Sequence, residues 1–461
     1  QKQQNFEIVY DKFSEAELSK LKEKAFTKAR NELIRNWERE FSTQPRNIDA
    51  VPSRVTLTHD PDKQTYRFGA ITENASIPER DTIVDPNLVW TANDELAGEQ
   101  IPEVQLERGR FLEGLLMPAD LRKQLYGAAP LVMMLDATTA RIHWEMVAQP
   151  SMDNILTRTS DNSSGSNFEY EDGFLGTSRG FTRQLRTTFA PPPEPPPPPQ
   201  SVMRVLIVAD PAEDAHLPGA EEEAVAVADL FESYTPNDPN GTRIEVKRLF
   251  GPIDATRTNV LRELMLRRYD LLHFAGHCVF QWDGDPNLSG WIFNAKRREL
   301  LTANELNRID RIPKFVFSNA CESGITPDRA RDRSDRLAPS FAEAFFNRGV
   351  ANFVCTAWPV DDVAARVFAV TLYSHLLGIN TNSISPVPMH EAMRLARLEI
   401  ASTPNGRTTW GAYQHYGNPY FQLFYEQQKA SSSSTKSDGK PTPTRKRATK
   451  KKKTTKRRKR S

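Results

Sequence analysis

The order of short apolar runs and amphipathic helical stretches between residues 201 and 425 constrains the fold more than any other feature of the sequence. The apolar runs are rich in β-branched and aromatic residues, and they occupy 202–209, 244–250, 271–275, 315–318 and 353–357. Helical periodicity separates them, at 220–233, 256–268, 338–348, 361–378 and 389–401. This alternation predicts βαβ units, and therefore an α/β fold with a mostly parallel sheet that carries helices on both faces.

Composition divides the remaining chain at a proline-rich run. Eight of the eleven residues from Ala190 to Gln200 are prolines, which predicts an extended polyproline linker. We therefore expect five parts: a helical and mixed N-terminal region at 1–100, a smaller subdomain at 101–189, the linker at 190–200, the α/β unit at 201–425 and a disordered basic tail at 426–461. The chain begins with Gln1, which is typical of a processed chain or a fragment, so we expect the first part to link to domains upstream.

The two parts before the linker carry fewer periodic segments. In the first, the pattern predicts a helix at 14–41 and short strands at 54–58 and 65–71. In the second, it predicts a helix at 109–125 interrupted by a proline, and a buried strand at 131–135.

The charge of the chain is distributed unevenly. The formal net charge is +2, yet residues 445–461 hold twelve Lys or Arg and no acid, so the rest carries 2 − 12 = −10. We therefore expect any nucleic-acid contact to be non-specific and confined to this tail, which lacks interleaved aromatic residues. A simple solvated arm is an equally good interpretation.

Cysteine usage and hydropathy bear on location. The three cysteines, Cys278, Cys321 and Cys355, are too scattered to form a disulfide framework. No run reaches the length of a membrane span, and the N-terminus is polar and charged, unlike a secretory signal. The sequence thus predicts a soluble protein of a reducing compartment, the cytoplasm, with no membrane span.

Reactive side chains follow two of the predicted strands. The run at 271–275 leads into Gly276, His277 and Cys278, and the run at 315–318 leads into Asn319, Ala320 and Cys321. Because the carboxyl ends of parallel strands meet at one edge of a sheet, we expect His277 and Cys321 to lie within reach of each other. An imidazole that takes the thiol proton makes a cysteine nucleophilic, and it can later protonate a leaving amine.

The residues around this pair suit acyl transfer. Gly276 and Gly324 flank it and permit close approach of a substrate backbone. The backbone N–H groups of Cys278 and Cys321 are candidates for an oxyanion hole.

Four motifs in this order resemble the CHAT domain of the caspase-haemoglobinase clan, to which separase and the metacaspases are related. They are Asp270-Leu-Leu-His-Phe-Ala-Gly-His277, Ser318-Asn-Ala-Cys-Glu-Ser-Gly324, Gly349-Val-Ala-Asn-Phe-Val-Cys-Thr-Ala-Trp-Pro-Val-Asp-Asp362 and Trp410-Gly-Ala-Tyr-Gln-His-Tyr-Gly417. The similarity covers residues 105–425, and the part at 101–189 looks like a degenerate caspase-like subdomain with Arg141-Ile-His-Trp-Glu145 in place of the usual Pro-Trp-Glu. The resemblance implies regulated peptide-bond hydrolysis of a protein substrate by a Cys-His dyad, with no metal and no other cofactor.

The sequence departs from the family pattern after the catalytic histidine. Members usually have glycine there, and its N–H serves the oxyanion hole, whereas this chain has Cys278. A side chain at this position could crowd the hole. This departure motivates a competing hypothesis, a catalytically inactive caspase-like scaffold or adaptor.

Two acidic residues allow two interpretations. By resemblance to separase-like relatives, Asp362, helped by Asp361, would form the floor of an S1 site that pairs with Arg or Lys at P1. Two aspartates before a helical stretch are equally typical of a helix N-terminus.

Other polar residues are interpreted as structural. His273 and His277 lie on one face of a strand, but no second ligand cluster accompanies them, so we predict no metal site and a core role for His273. Cys355 is expected to be a buried strand residue, and Trp144 with Glu145 to be structural. Four further histidines show no partner pattern and are expected to be solvated or packing residues: His216, His375, His390 and His415.

Overall fold

The protein is described here by a computed structural model. It covers residues 51–424 except 72–75, 123–128, 149–169, 171–172, 187–200, 237–240, 280–281, 283–287, 307, 310, 322–349 and 380–385. Several predicted features lie outside the described residues: the helices at 14–41 and 338–348, the proline linker, the basic tail and Gly324.

Strands are the main elements of the described part. They are β1 (Ser53–Asp60), β2 (Thr65–Ile71), β3 (Ser76–Ile83), β4 (Leu131–Leu135), β5 (Phe181–Leu185), β6 (Val202–Ala209), β7 (Arg243–Phe250), β8 (Leu271–Val279), β9 (Gly290–Asn294), β10 (Glu299–Thr302), β11 (Phe315–Cys321), β12 (Asn352–Thr356) and β13 (Tyr413–Gly417).

Helices connect these strands. They are α1 (Pro86–Asp94), α2 (Pro102–Leu116), α3 (Leu175–Ser178), α4 (Pro218–Ser233), α5 (Gly251–Asp254), α6 (Arg257–Leu266), α7 (Ala303–Leu306), α8 (Asp362–Leu377) and α9 (Met389–Ala401), with short 3-10 turns at Thr139–Arg141, Trp144–Met146 and Trp410–Ala412. None of the helices in the described part of the chain combines the length and the apolar character needed to cross a bilayer.

The strands form one mixed, mostly parallel sheet. Its order is β10-β9-β8-β11-β12-β13-β5-β4-β1-β2-β3, with β6 paired to β8 and β7 paired to β6. The pairings of β6, β8, β11 and β12 with one another are parallel, and β13 returns antiparallel to β12. Every residue of β8 and of β12 is buried, so these central strands are covered on both faces. The predicted α/β fold is confirmed.

The predicted elements and the observed ones agree best in the parallel core. Five predicted elements match the observed ones within two residues at each end. The strands are 202–209 (β6), 244–250 (β7) and 353–357 (β12), and the helices are 220–233 (α4) and 389–401 (α9). The helix expected at 109–125 begins earlier, at Pro102, and it ends at Leu116 because Pro118 follows its last turn, so the predicted interruption by a proline is confirmed. The strand β3 and the hairpin β9–β10 were not predicted.

The expectation that the strand before His277 ends at residue 275 is wrong. The strand β8 continues to Val279, because a new neighbour replaces the one it loses. It pairs with β6 up to Ala275 and with β9 from Cys278 onward. On its other side, β11 accompanies it as far as His277. His277 therefore lies inside the sheet, at the point where β8 exchanges one neighbour for another.

Candidate active site

The sheet brings the backbones of the two predicted catalytic residues together. In the parallel pairing of β8 and β11, the Cα of His277 is the register partner of the Cα of Cys321. Positions in register on neighbouring strands lie about 4.8 Å apart. The thiol of Cys321 lies outside the described residues, so the geometry that follows is that of the histidine and its surroundings.

The imidazole of His277 is held by a backbone carbonyl. Its Nε2 lies 2.9 Å from the Ala215 carbonyl oxygen, and the side chain is 4 % exposed. Since a carbonyl can only accept, Nε2 carries the hydrogen and Nδ1 of the neutral ring carries the lone pair. This Nδ1 is buried and has no hydrogen-bond partner among the described residues. In the neutral ring, Nδ1 is thus the basic nitrogen.

The surroundings of His277 act on its charge in opposite directions. Burial lowers the pKa of the imidazole below its usual range, and this effect is the largest. The hydrogen bond to Ala215 and the carboxylates of Asp210, Asp214 and Asp362 oppose it by favouring the protonated ring. The net shift is downward, which keeps the ring neutral and able to accept a proton near neutral pH.

The two candidate S1 residues occupy different environments. Asp361 is the N-cap of α8, and its Oδ1 accepts from the backbone N–H of Val363 and of Ala364 at 3.0 Å each. Asp362 is exposed over part of its surface, but its carboxylate is partly covered because it lies against Gly219 at the start of α4. The cap interpretation is therefore correct for Asp361. Asp362 is the first residue of α8, so its charge lies in the first turn, where the helix dipole favours it.

The Asp362 carboxylate belongs to an acidic neighbourhood. Partial burial raises its pKa, and repulsion from Asp361, Glu223 and Glu222 raises it further, whereas His277 lowers it. Each of these neighbours is thus close enough to influence the carboxyl group. A cation placed beside Asp362 would relieve this repulsion.

A buried polar network lies behind His277 on the same face of the sheet. Glu223 of α4 accepts from the Asn319 side chain at 2.5 Å, and its other oxygen lies 3.2 Å from His273 Nε2. His273 Nδ1 is hydrogen-bonded to the Tyr373 hydroxyl at 3.1 Å. His273 is fully buried, so its predicted core role is confirmed. The network fixes Asn319, two residues before Cys321. Sequence reasoning missed Glu223, because one glutamate in a run of three gives no signal.

Cys278 points away from His277. Adjacent strand residues project to opposite faces of a sheet, and the Cys278 thiol is buried and donates to the Ala320 carbonyl at 3.0 Å. Its backbone lies opposite Trp291 in the pairing of β8 with β9. The side chain that replaces the family's glycine therefore packs between strands, on the face of the sheet opposite the imidazole.

Three residues interpreted as structural are placed as expected. Cys355 is buried in β12, and burial raises the pKa of its thiol far above the usual range, which makes it inert. Trp144 and Glu145 are fully buried in a 3-10 turn. Glu145 accepts from Arg183 Nε at 2.9 Å and also contacts its Nη2.

Two of the four histidines that showed no partner pattern have defined partners, although His216 is exposed to solvent and His415 is packed in the interior, as expected. His216 contacts the Asp210 carboxylate through Nδ1. His415 is hydrogen-bonded to Thr182 at 3.2 Å and to Asn352 at 2.9 Å. Their partners are distant in sequence or on a loop, so no local pattern could indicate them. Within the described ranges, no group of three or more His, Cys, Asp or Glu residues is placed to hold a metal ion.

A comparison with protein families decides the classification. The model of the CHAT domain family matches residues 106–418, which is more than half of the chain. The chain belongs to the CHAT domain family. The match includes His277, Cys321 and the part at 101–189 from residue 106 onward, and it confirms the resemblance read from the four motifs.

Solved structures similar to this CHAT domain chain were also found. The separase–securin complex of Saccharomyces cerevisiae matches with a TM-score of 0.43 and 9% identity over 81% of this chain, which spans 30% of that chain. The Arg specific cysteine proteinase gingipain R (RgpB) matches with a TM-score of 0.37 and 11% identity over 70% of this chain and 74% of its own. The complex of pro- and mature domains of RgpB from Porphyromonas gingivalis matches with a TM-score of 0.38 and 10% identity, covering 74% and 78%. A comparison with curated proteins found no match.

Proposed function

We propose that this CHAT domain protein is a cysteine endopeptidase in which Cys321 is the nucleophile and His277 the general base and acid. The observation that supports this most directly is the state of the imidazole. The Ala215 carbonyl holds Nε2, and Nδ1 is left buried without a hydrogen-bond partner in the described part, beside the backbone position of Cys321. Another buried histidine, His143, also has a ring nitrogen without a partner among the described residues, so what distinguishes His277 is its register position opposite Cys321.

The reaction follows from this arrangement. Nδ1 of His277 takes the proton of the Cys321 thiol, and the thiolate attacks the scissile carbonyl carbon to form a carbon–sulfur bond. The carbonyl oxygen gains the negative charge, and the amides of Cys278 and Cys321 are the proposed donors to it. The carbon–nitrogen bond then breaks, and the proton on Nδ1 passes to the leaving amine. Water hydrolyses the resulting thioester, and His277 takes a proton from that water and returns it to the sulfur.

The proposed substrate has a basic residue at P1. Asp362 lies within electrostatic range of His277, and like charges surround it, so a Lys or Arg side chain placed there would be stabilised. Asp361 is committed to capping α8, and we assign it a supporting role through its charge alone. The thiol would remain available in a reducing compartment, and the cytoplasm is the location we propose.

A probe experiment tests the nucleophile. The full-length protein is incubated with an acyloxymethyl ketone that carries Arg at P1, and labelling is quantified by mass spectrometry. We expect labelling at Cys321, its loss in Cys321→Ala and in His277→Ala, and its retention in Cys355→Ala. The last variant is the matched control, because Cys355 is a buried thiol on the next strand, β12. Labelling that persists in Cys321→Ala would contradict the proposal.

A peptide panel tests the substrate class. Fluorogenic peptides that differ only at P1 are compared, and the activity is expected to favour Arg and Lys over Leu and Asp. Preference for Leu or Asp would remove Asp362 from the S1 site. Absence of both labelling and hydrolysis, with and without activating partner proteins, would favour the scaffold hypothesis instead.

A further inference from the structure

The loop between β6 and α4, residues 210–217, supplies the carbonyl that holds His277, and this loop is itself fastened at both ends. At its start, the backbone N–H of Asp210 donates to the Ala275 carbonyl of β8 at 2.9 Å. At its end, the Asp210 carboxylate accepts from the backbone N–H of Leu217 at 2.8 Å and contacts the ring of His216. Asp210 thus links the first and last residues of the loop, and Ala215 lies in the segment that this link closes.

The conformation of Asp210 indicates that the closure is built into the fold. Asp210 is 2 % exposed and has a φ of 47°, which lies in the left-handed region that residues other than glycine adopt infrequently. Such conformations persist only where the surroundings determine them, and they concentrate at functional sites. A glycine would adopt this backbone with less strain, but it would have no carboxylate to close the loop.

A second aspartate fastens the outer side of the same loop. The Asp214 carboxylate accepts from the backbone N–H groups of Ala295 and Lys296 at 2.9 and 2.6 Å. These two N–H groups belong to the turn after β9. Since β9 is the strand that joins β8 from Cys278, the loop is anchored on both sides of His277.

We infer that Asp210 is a positioning residue for catalysis: by closing the 210–217 loop it places the Ala215 carbonyl, which fixes His277 in the Nε2–H tautomer. The inference rests on the proposed function for its effect on rate, but its effect on the tautomer does not. Without the carboxylate, the Leu217 N–H loses its acceptor, and among the described residues the position of Ala215 is held only by Asp214 and by the turn bond to the Ala212 carbonyl. The imidazole then loses the contact that makes Nδ1 its basic nitrogen.

The charges around His277 give the direction of the pH effect. The groups that act on the imidazole are the Ala215 carbonyl, Asp210 and Asp214 of the loop, and Asp362 of α8. Loss of the Asp210 charge and loss of the Ala215 hydrogen bond both disfavour the protonated ring. Both changes therefore move the titration of His277 to lower pH.

The tautomer can be measured without any assay of activity. The full-length protein is labelled with ¹⁵N at the histidine rings, and the His277 signals are assigned by their loss in His277→Gln. We expect an Nε2–H ring in the wild type and in Glu213→Gln, and a mixture of tautomers in Asp210→Ala. Glu213 is the matched control, because it is an exposed carboxylate of the same loop. A ring that stays wholly Nε2–H in Asp210→Ala overturns the inference.

The rate of peptide hydrolysis by the Asp210 variants provides a second, independent test of the positioning role. In Asp210→Ala, kcat is expected to fall about tenfold to a hundredfold with little change in KM, because the reacting groups are misplaced. The acidic limb of the pH profile should move to lower pH, whereas a general loss of folded protein would lower the amplitude and leave the limb in place. An equal shift in Glu213→Gln would mean that net charge is responsible, and it would overturn the positioning role.

A conservative variant covers the case in which Asp210→Ala fails to fold. Asp210→Asn retains an oxygen that can accept from Leu217 but has no charge. We expect it to keep the Nε2–H tautomer and to titrate His277 at lower pH than the wild type. If Asn restores neither the tautomer nor the rate, or if it titrates like the wild type, the inference fails. If the tautomer responds as expected and no variant hydrolyses peptides, only the proposed function is refuted.

Discussion

Glu145 and Arg183 form an ion pair whose two side chains have no exposed surface. The pair joins the 3-10 turn at Trp144–Met146 to β5, and Arg183 also donates to the carbonyls of Ala140 and Ile142 at 2.6 and 2.9 Å. A second guanidinium, that of Arg397 on α9, lies 3.6 Å from the same carboxylate. The buried carboxylate of Glu145 thus faces two buried guanidinium groups and partly balances their charge.

Removal of this carboxylate should be strongly destabilising. Glu145→Gln leaves Arg183 and Arg397 in the interior without a counter-charge, and we expect a loss of about 3–5 kcal/mol in the free energy of unfolding. Urea denaturation followed by circular dichroism measures it. As a control, Glu245→Gln breaks the exposed pair with Arg204 and should cost less than about 1 kcal/mol. Equal losses in the two variants would show that the burial of the first pair contributes nothing.

Adjacent aspartates should respond in opposite ways. Asp361→Ala removes the cap of α8, and it should lower the free energy of unfolding by about 1 kcal/mol while leaving the P1 preference largely intact. Asp362→Asn relieves the repulsion that raises the pKa of this carboxyl, so it should stabilise the fold at neutral pH and remove the preference for Arg and Lys. Thermal unfolding and the P1 panel measure both effects. A loss of stability in Asp362→Asn would contradict this assignment.

The pH profile of hydrolysis should follow the lowered pKa of His277. The general base must be unprotonated, and burial disfavours the charged ring, so the acidic limb of kcat/KM should lie below the usual imidazole pKa of about 6.5. Activity is therefore expected to persist in mildly acidic buffer. A limb well above 6.5 would mean that the surrounding carboxylates outweigh burial.

Glu113 of α2 should make the stability of the fold depend on pH. Burial raises the pKa of its carboxyl to about 7, although Arg122 opposes the shift from 3.1 Å. The folded state therefore holds a proton that the unfolded state releases near pH 4.5, and stability falls as the pH rises between these values.

The variant Glu113→Gln isolates this effect. It should raise the unfolding temperature at pH 8 and leave it unchanged at pH 4, where the carboxyl of the wild type is protonated in both states. Glu107→Gln, on the exposed side of the same helix, serves as the control and should change neither value. A lower unfolding temperature for Glu113→Gln at pH 8 would show that the ion pair with Arg122 dominates.

The parallel core could be predicted from the sequence because strands that are buried on both faces consist almost entirely of apolar residues. Strands such as β6 and β12 are continuous apolar runs, and the helices between them keep their period. The edge strand β3 leaves no such mark: it reads Ser-Ile-Pro-Glu-Arg-Asp-Thr-Ile and is mostly exposed, so its residues are not selected for burial.

The candidate site was predictable only where side chains carry the chemistry. His277 could be identified from its motif, and its nearness to Cys321 followed from the sheet. Ala215 could not be found, because its contribution is a backbone carbonyl that any residue could supply. Nothing in the sequence indicated Asp210 either, since its carboxylate contacts one backbone N–H, that of Leu217, and an exposed histidine. Such contacts depend on the path of the loop and leave no side-chain pattern.

The close approach of Gly219 to Asp362 has a consequence for how substrate preference could change. A methyl group at position 219 would lie 2.4 Å from the carboxyl carbon and 2.5 Å from the Cβ of Asp362. Even alanine there would force α4 and α8 apart or turn the carboxylate aside. The absence of a side chain at position 219 therefore determines where the Asp362 carboxylate lies. If Asp362 binds the P1 side chain as proposed, a single methyl group at position 219 is expected to change the P1 preference.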